Sequence, residues 1–389
     1  MNRKQFIILL VLVAVIGAAG LVVHQRDNNS WQSAGSAIGG RLLPGLAVND
    51  IAQITIKSAA GELNLAKRDN IWRVRERGDY PANFSQVSDL LIKFGDLKIS
   101  QSQEVGASQL GRFELLPPGA GTNAGTNAGT LVEFKDRDGK SLATVLLGKP
   151  HQRQPAANSR FGEGFPDGRY VMVGTDAKTL AVISDPMENV QPRPEQWLNK
   201  DFFSIEKPAS VAMQFPEATN AWKLARISET NDWQLVDAKS GEKLDSGKIS
   251  SVTNPFSSAG FNDVASVDAP ADLTQPTNGM VLTVETVDGF TYVAHVGSKQ
   301  GENYPVSFSI TANLPTTRVG AKDEKPEDKT KLDQAFKDQQ GRLTEKLVRE
   351  KSFASRVYLL PADTVDELLK PRSQLLVEVK KDDSPQAGK

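Results

Sequence analysis

Apolar and polar positions alternate along this chain in three different ways. Phe6–Val23 is an unbroken apolar run of 18 residues. As a helix at about 1.5 Å per residue it spans roughly 27 Å, close to the hydrocarbon thickness of a bilayer. Thirteen of its residues are Leu, Ile, Val or Phe. At about −0.3 to −0.6 kcal/mol each they favour the membrane by roughly 4–8 kcal/mol. Beyond it, short runs of β-rich residues bounded by Gly, Asp and Asn predict strands. Two stretches have a helical period instead. In Phe84–Leu97, Val87, Leu90, Leu91 and Phe94 recur at three- and four-residue spacing. In Lys331–Lys351, Leu332, Phe336, Leu343 and Leu347 form a narrow apolar stripe with Ala335 beside it.

The strand runs repeat in order, which predicts one unit written twice. Leu65-Ala66-Lys67 and then Trp72 match Leu224-Ala225-Arg226 and then Trp233, the tryptophans 161 residues apart. A hairpin follows in each half. Leu131–Phe134, Asp138-Gly139 and Ala143–Leu147 match Leu282–Glu285, Asp288-Gly289 and Thr291–Val296, with an offset of 150 at the turn. Tyr170–Val173 then matches Tyr304–Ser307, and Val182–Pro186 matches Val357–Pro361. The drifting offset marks insertions at Gly119–Thr130 in the first copy and at about Thr311–Ser352 in the second. Each copy reads as an α+β unit, a mainly antiparallel sheet with a packed helix, and Trp72 and Trp233 read as core anchors.

The domain plan that follows is a cytoplasmic tail 1–5, an anchor 6–23, a flexible tether 24–41, first repeat 42–200, second repeat 201–379 and a disordered tail 380–389. Arg3 and Lys4 precede the apolar run, so the positive-inside rule puts the tail in the cytoplasm and the repeats outside. A cleaved signal peptide is the rival reading, but Leu21-Val22-Val23 continue past the small residues Ala18-Ala19-Gly20. Within the second repeat, Ala321–Lys329 is charged and reads as a solvated loop before the helix. That helix either lies on its own domain or docks another protein through Leu332, Phe336, Leu343 and Leu347.

Composition narrows the chemistry. The 46 Lys+Arg against 47 Asp+Glu leave a net charge of −1, which argues against nucleic acid as the main partner. Cysteine is absent, which removes disulfides, thiolate nucleophiles and Cys-ligated zinc. The three histidines, His24, His151 and His295, stand in no metal-ligand spacing and read as structural or solvated. No G-x-S-x-G elbow is present, and Lys248-Ile249-Ser250-Ser251 and Lys351-Ser352 bring Ser and Lys together without a catalytic frame. The Gly-rich stretch 119–130 lacks the ending of a phosphate loop. No catalytic, metal-binding or cofactor-binding residue is assigned, and no cofactor is expected.

Trp72, Tyr80-Pro81-Ala82, the helix ending Leu90-Leu91-Ile92-Lys93-Phe94, Leu147-Gly148-Lys149, Arg169-Tyr170-Val171, Val182-Ile183 and Trp197-Leu198-Asn199-Lys200-Asp201 together resemble the domain of unknown function 4340 family. The likeness covers most of Ile51–Leu376. It implies a bacterial membrane-anchored protein, often encoded beside ABC transporter components. The expectation is a periplasmic binding or scaffold protein on the inner membrane, an accessory subunit whose partner is an integral membrane protein such as an ABC transporter component. The alternatives are an envelope hydrolase acting on glycan or peptide through carboxylates or Ser-Lys, and a protein that binds a lipid or small ligand between the repeats.

Overall fold

The computed structural model describes residues 38–119, 127–152, 166–175, 179–266, 268–274, 276, 279–320 and 324–378. The apolar run 6–23, most of the 24–41 tether and the 380–389 tail lie outside them. No helix among the described residues is long and apolar enough to cross a membrane. The chain divides into two compact units, Met1–Trp197 and Leu198–Lys389. Each is built on an antiparallel sheet with a few helices, so the fold is α+β.

The first unit contains β1 (Gln53–Ser58), β2 (Gly61–Arg68), β3 (Ile71–Val74), β4 (Tyr80–Pro81), helix α1 (Phe84–Asp96), β5 (Ile99–Glu104), β6 (Thr130–Lys135), β7 (Ser141–Gln152), β8 (Pro166–Val173) and β9 (Thr179–Ile183). Across the sheet the order is β4-β3-β2-β1-β6-β7-β8-β9-β5. Strict alternation sets the register, because a slip of one residue would turn the apolar set to the wrong face. Ile54 stands between Leu65 and Phe134, and Ile56 between Leu63 and Val132, all buried. Helix α1 begins where the Asn83 side chain accepts a hydrogen bond from the Gln86 N–H. It turns Val87, Leu90, Leu91 and Phe94 inward, as their spacing predicts, and Phe94 meets Phe134 edge-on at 4.9 Å. Burial of each such side chain contributes roughly 1.5–3 kcal/mol. A separate apolar cluster joins Leu146, Met172 and Leu180 to Val105 and Leu115.

The second unit contains β10 (Pro208–Gln214), β11 (Trp222–Ala225), β12 (Gln234–Leu235), a one-turn helix α2 (Ser246–Ile249), β13 (Asp263–Val264), β14 (Met280–Thr286), β15 (Phe290–Val296), β16 (Asn303–Ala312), helix α3 (Pro326–Lys351) and β17 (Val357–Pro361). Its order is β12-β11-β10-β14-β15-β16-β17-β13. With β10 in the place of β1, β14 of β6 and β13 of β5, this is the first sheet's order without β4. Smaller features agree. Leu65 pairs with Val74 as Leu224 pairs with Leu235. Both Asp-Gly turns carry glycine with left-handed backbone, φ 81° at Gly139 and 85° at Gly289. The helix-capping residues also match: the Asn83 N–H donates to the Trp197 carbonyl at 2.8 Å, and the Asp245 N–H to the Leu375 carbonyl at 2.9 Å.

Several expectations need correction. Trp72 is buried, but Trp233 is only half-buried, its ring covered by the Arg226 guanidinium at 4.8 Å. It stands just before β12, a strand of two residues that is too short to draw it into the core. The late matches slide. Val171 faces Leu147 as Val306 faces Val296, and Ala181 faces Val171 as Tyr358 faces Val306. The first of these displaces the Tyr170–Tyr304 match by one residue, and the second displaces the Val182–Val357 match by two. The packed helix of the second unit is a single turn, because Pro255 follows closely and cannot continue a helical ladder. The insertion begins later than Thr311, since β16 pairs with β15 through Ala312. Helix α3 begins earlier than Lys331. Pro326 stands in its first turn with Glu327 and Asp328, a favourable start beside the positive end of the helix dipole, so 326–329 is not loop.

Candidate functional site

Two places in the described residues have the character of a binding surface. One is helix α3 in the second unit, which is fastened near its start and at its end. Before it, Arg318 donates from Nη1 and Nη2 to the two carboxylate oxygens of Glu324, and from Nε to Asp333 at 2.7 Å. These bonds raise the Arg318 pKa, so the clamp stays charged. At the last turn Glu350 is fully buried, and the Tyr292 hydroxyl donates to its Oε2 at 2.6 Å. Its Oε1 has no hydrogen-bond partner among the described residues, with the Lys346 ammonium 3.9 Å away. Burial pushes the Glu350 pKa up, partly opposed by the Tyr292 hydrogen bond and by Lys346 and Arg349, while Glu206 adds to the rise. Lys346 itself pairs with Glu206 at 3.0 Å and lies over the Phe290 ring. Just past the helix, Phe353 packs on Phe202 at 5.3 Å within an aromatic cluster that includes Phe308 and Tyr358.

Along the helix the apolar stripe is incompletely covered. Leu332 is 45% exposed, and Phe336, Leu343 and Leu347 are half-buried. The structure therefore turns the carboxyl-terminal part of the stripe partly toward its own sheet and leaves Leu332 at the surface. Val319 and Val348 are also exposed, two apolar side chains that the periodicity did not single out.

The second place is a groove of about 630 Å³ in the first unit. One wall is the α1 face carrying Gln86, Asp89 and Lys93, and the other is the segment after β9, from Asp185 to Trp197. Leu90, Met187, Val190 and Trp197 line its floor and are themselves buried. The second wall is built rigidly. The Asp185 carboxylate accepts from the Met187 N–H at 2.8 Å and pairs with Lys93 at 3.0 Å. Met187 has left-handed backbone, φ 50°. Beneath it Arg169 donates to the carbonyls of Gly148, Pro186 and Met187. Burial lowers the Arg169 pKa, and the nearby Glu114 and Glu188 carboxylates counteract that. The sequence carried no local signal for this groove, because its walls lie about 90 residues apart in the chain.

The residues weighed for chemistry are dispersed. His151 lies on β7 with Nδ1 2.6 Å from an Asp167 carboxylate oxygen and its ring edge-on to Tyr170. His295 is exposed on β15. His24 lies outside the described residues. Lys248 reaches the Leu376 carbonyl and Glu378 rather than Ser250 or Ser251. Ser251 instead meets Lys370 at 3.0 Å, and that ammonium also pairs with Glu367 at 2.6 Å. The pair leaves Lys370 engaged by a carboxylate and holds Glu367 below the usual range. Among the described residues no three His, Asp or Glu side chains are grouped so as to hold a metal ion.

Neither a search of curated proteins nor one of solved structures returned a match. A family model described as Domain of unknown function (DUF4340) matches residues 72–276, from the buried Trp72 through the rest of the first unit and into the second as far as the stretch before β14. That span is just over half of the chain, which therefore belongs to this family of uncharacterised domains.

Proposed function

We propose that this protein is a membrane-anchored, extracytoplasmic scaffold made of two diverged copies of one α+β unit. It serves as an accessory subunit of an ABC-type transport or envelope complex on the bacterial inner membrane. The observation that carries the reading is helix α3, held by Arg318 at Asp333 and by Tyr292 at Glu350, with Leu332, next to the first of these contacts, left 45% exposed. A helix with one apolar stripe is a common recognition element, buried on a partner through positions spaced by three and four. The occupant is an integral membrane protein.

The test is site-directed photocrosslinking in intact cells at native abundance. A photoreactive residue at Leu332 or Phe336 is expected to give an adduct with one integral membrane protein. The same residue at Gln334 or Glu345, on the opposite side of the helix, is not. Adducts from all four positions alike, or from none, would remove the docking role of α3.

A further inference from the structure

We propose that helix α3 is a proton-controlled latch: with Glu350 neutral its last two turns lie closed on the sheet of the second unit, and ionisation of that side chain lifts them off. The latch acts on the helix of the docking reading without resting on it, since it is a property of the protein alone. A helix that lies on a sheet normally does so through an apolar stripe. Of the 26 residues of α3 the only buried one is Glu350. Leu343 and Leu347 near it are half-buried, and the turns before Phe336 are exposed. The end of the helix is therefore attached through a carboxyl group. The Tyr292 hydroxyl on β15 donates to its Oε2 at 2.6 Å, while its Oε1 has no hydrogen-bond partner among the described residues.

A neutral carboxyl tolerates this setting and an ionised one does not, because a buried charge must be both paired and hydrogen-bonded. The nearest cation, Lys346, is 3.9 Å from Oε1 but 3.0 Å from Glu206, so it serves Glu206 first. It also stands four residues before the carboxylate, the weaker order for an ion pair on a helix. Glu350 lies in the last turn, where the helix dipole disfavours negative charge. Lys346 and Arg349, on α3 itself, favour the ionised form, and Glu206, from the segment before β10, opposes it. The strand β16 and the turn Ser352–Ser355 also pack on α3 and contain no charged residue. Burial outweighs the two cations, so the closed helix holds its proton more tightly than an open one. Closure is fully favoured below the ordinary carboxylate value of 4.5 and weakens as pH rises toward the raised value. Opening brings Glu350 into water and frees Leu343 and Leu347, the part of the stripe turned toward the sheet. Arg318 still holds Asp333, and Phe353 stays in its aromatic cluster.

The test is hydrogen–deuterium exchange of the full chain in detergent from about pH 4.5 to about pH 8.5, corrected for the intrinsic acceleration of exchange with pH. The readout is the opening constant of the amides from Thr344 to Lys351. It is expected to rise with pH, by up to about tenfold per unit for one released proton, and to level off once Glu350 has ionised within the fold. The amides of β15 should keep their protection throughout. Glu350→Gln should hold the last turns closed and flatten the profile. Glu206→Gln, at an exposed position, frees Lys346 for Glu350 and should reduce the rise severalfold, a change that damage to the fold would not produce. A flat profile for α3 in the parent protein, an unaltered rise in Glu350→Gln, or a loss of protection in β15 equal to that in α3 would overturn the latch. If Glu350→Gln does not fold, an unaltered rise in Glu206→Gln would overturn it.

Discussion

The two units share a strand order but spend their sequence differences in opposite places. The first keeps a helix of 13 residues against its sheet and an open groove beside it. The second reduces that helix to one turn, seals the neighbouring segment with Arg372, and gains a helix of 26 residues elsewhere. The sheet thus acts as a constant platform, because its register is fixed by buried alternation across β1, β2 and β6 and their counterparts. What varies is carried by the connections, where a change costs little of the shared core.

Three sets of substitutions would break or sharpen this comparison. The largest contrast is between the tryptophans. Trp72 is 4% exposed, so Trp72→Ala should cost about 3–5 kcal/mol through the cavity it leaves. Trp233→Ala removes mainly a cation–π contact with Arg226 and should cost about 1 kcal/mol. Urea unfolding of the two variants measures the difference, and equal losses would mean that Trp233 anchors a core after all.

Next come the arginines. Arg372→Met removes a buried guanidinium from Asp237 and Glu242 and should lower the urea midpoint measurably, whereas Arg193→Met, at an exposed arginine of the corresponding segment in the first unit, should stay within about 0.5 kcal/mol. The clamp also has a pH signature. The hydrogen bond from Arg372, aided by the Lys239 N–H, holds Glu242 down to about 2 against an ordinary value of 4.5. Its folded value is depressed, so its contribution is present above the ordinary carboxylate range and is lost as pH falls through about 2. Acid titration of stability should show this loss in the parent protein and not in Arg372→Met.

The smallest effect lies at the end of α3. The Glu350 carboxyl is raised by burial, so the sign is the reverse. Relative stability is fully present below the ordinary carboxylate value of 4.5 and is lost as pH rises through the raised value. Glu350→Gln keeps the Tyr292 hydroxyl donor and removes the buried charge. It should therefore stabilise the second unit at neutral pH by about 1 kcal/mol and flatten that part of the pH dependence. Thermal melting across pH 4–8 reads both, and a destabilised variant would show that Lys346 compensates the charge fully.

Much of the fold was legible in the residues because the sheet depends on local signals. The Asp-Gly turns, the alternation around Ile54 and Val132, and the spacing of Val87 and Phe94 each act over a few neighbours. Where the reading slipped, the cause lay farther away. Trp233 has the right register but too short a strand to bury it. The β16 and β17 matches slid because pairing, rather than residue identity, fixes their alignment. Pro326, Glu327 and Asp328 signal the start of α3, but the density of charge in the same stretch is equally a signature of loop. The stripe of α3 was visible, but its fastening by Arg318 and Glu350 was not, because those contacts join separate elements. The groove was invisible for the same reason.

The central claim is that both units stand outside the cytoplasm with Leu332 presented to a partner. The chain has no cysteine, so Leu332→Cys is a single, clean reporter. In cells whose outer membrane has been made permeable, a maleimide that cannot cross the inner membrane is expected to label it in the absence of the partner and to be blocked when the complex is intact. Labelling only after the inner membrane is lysed would contradict the account.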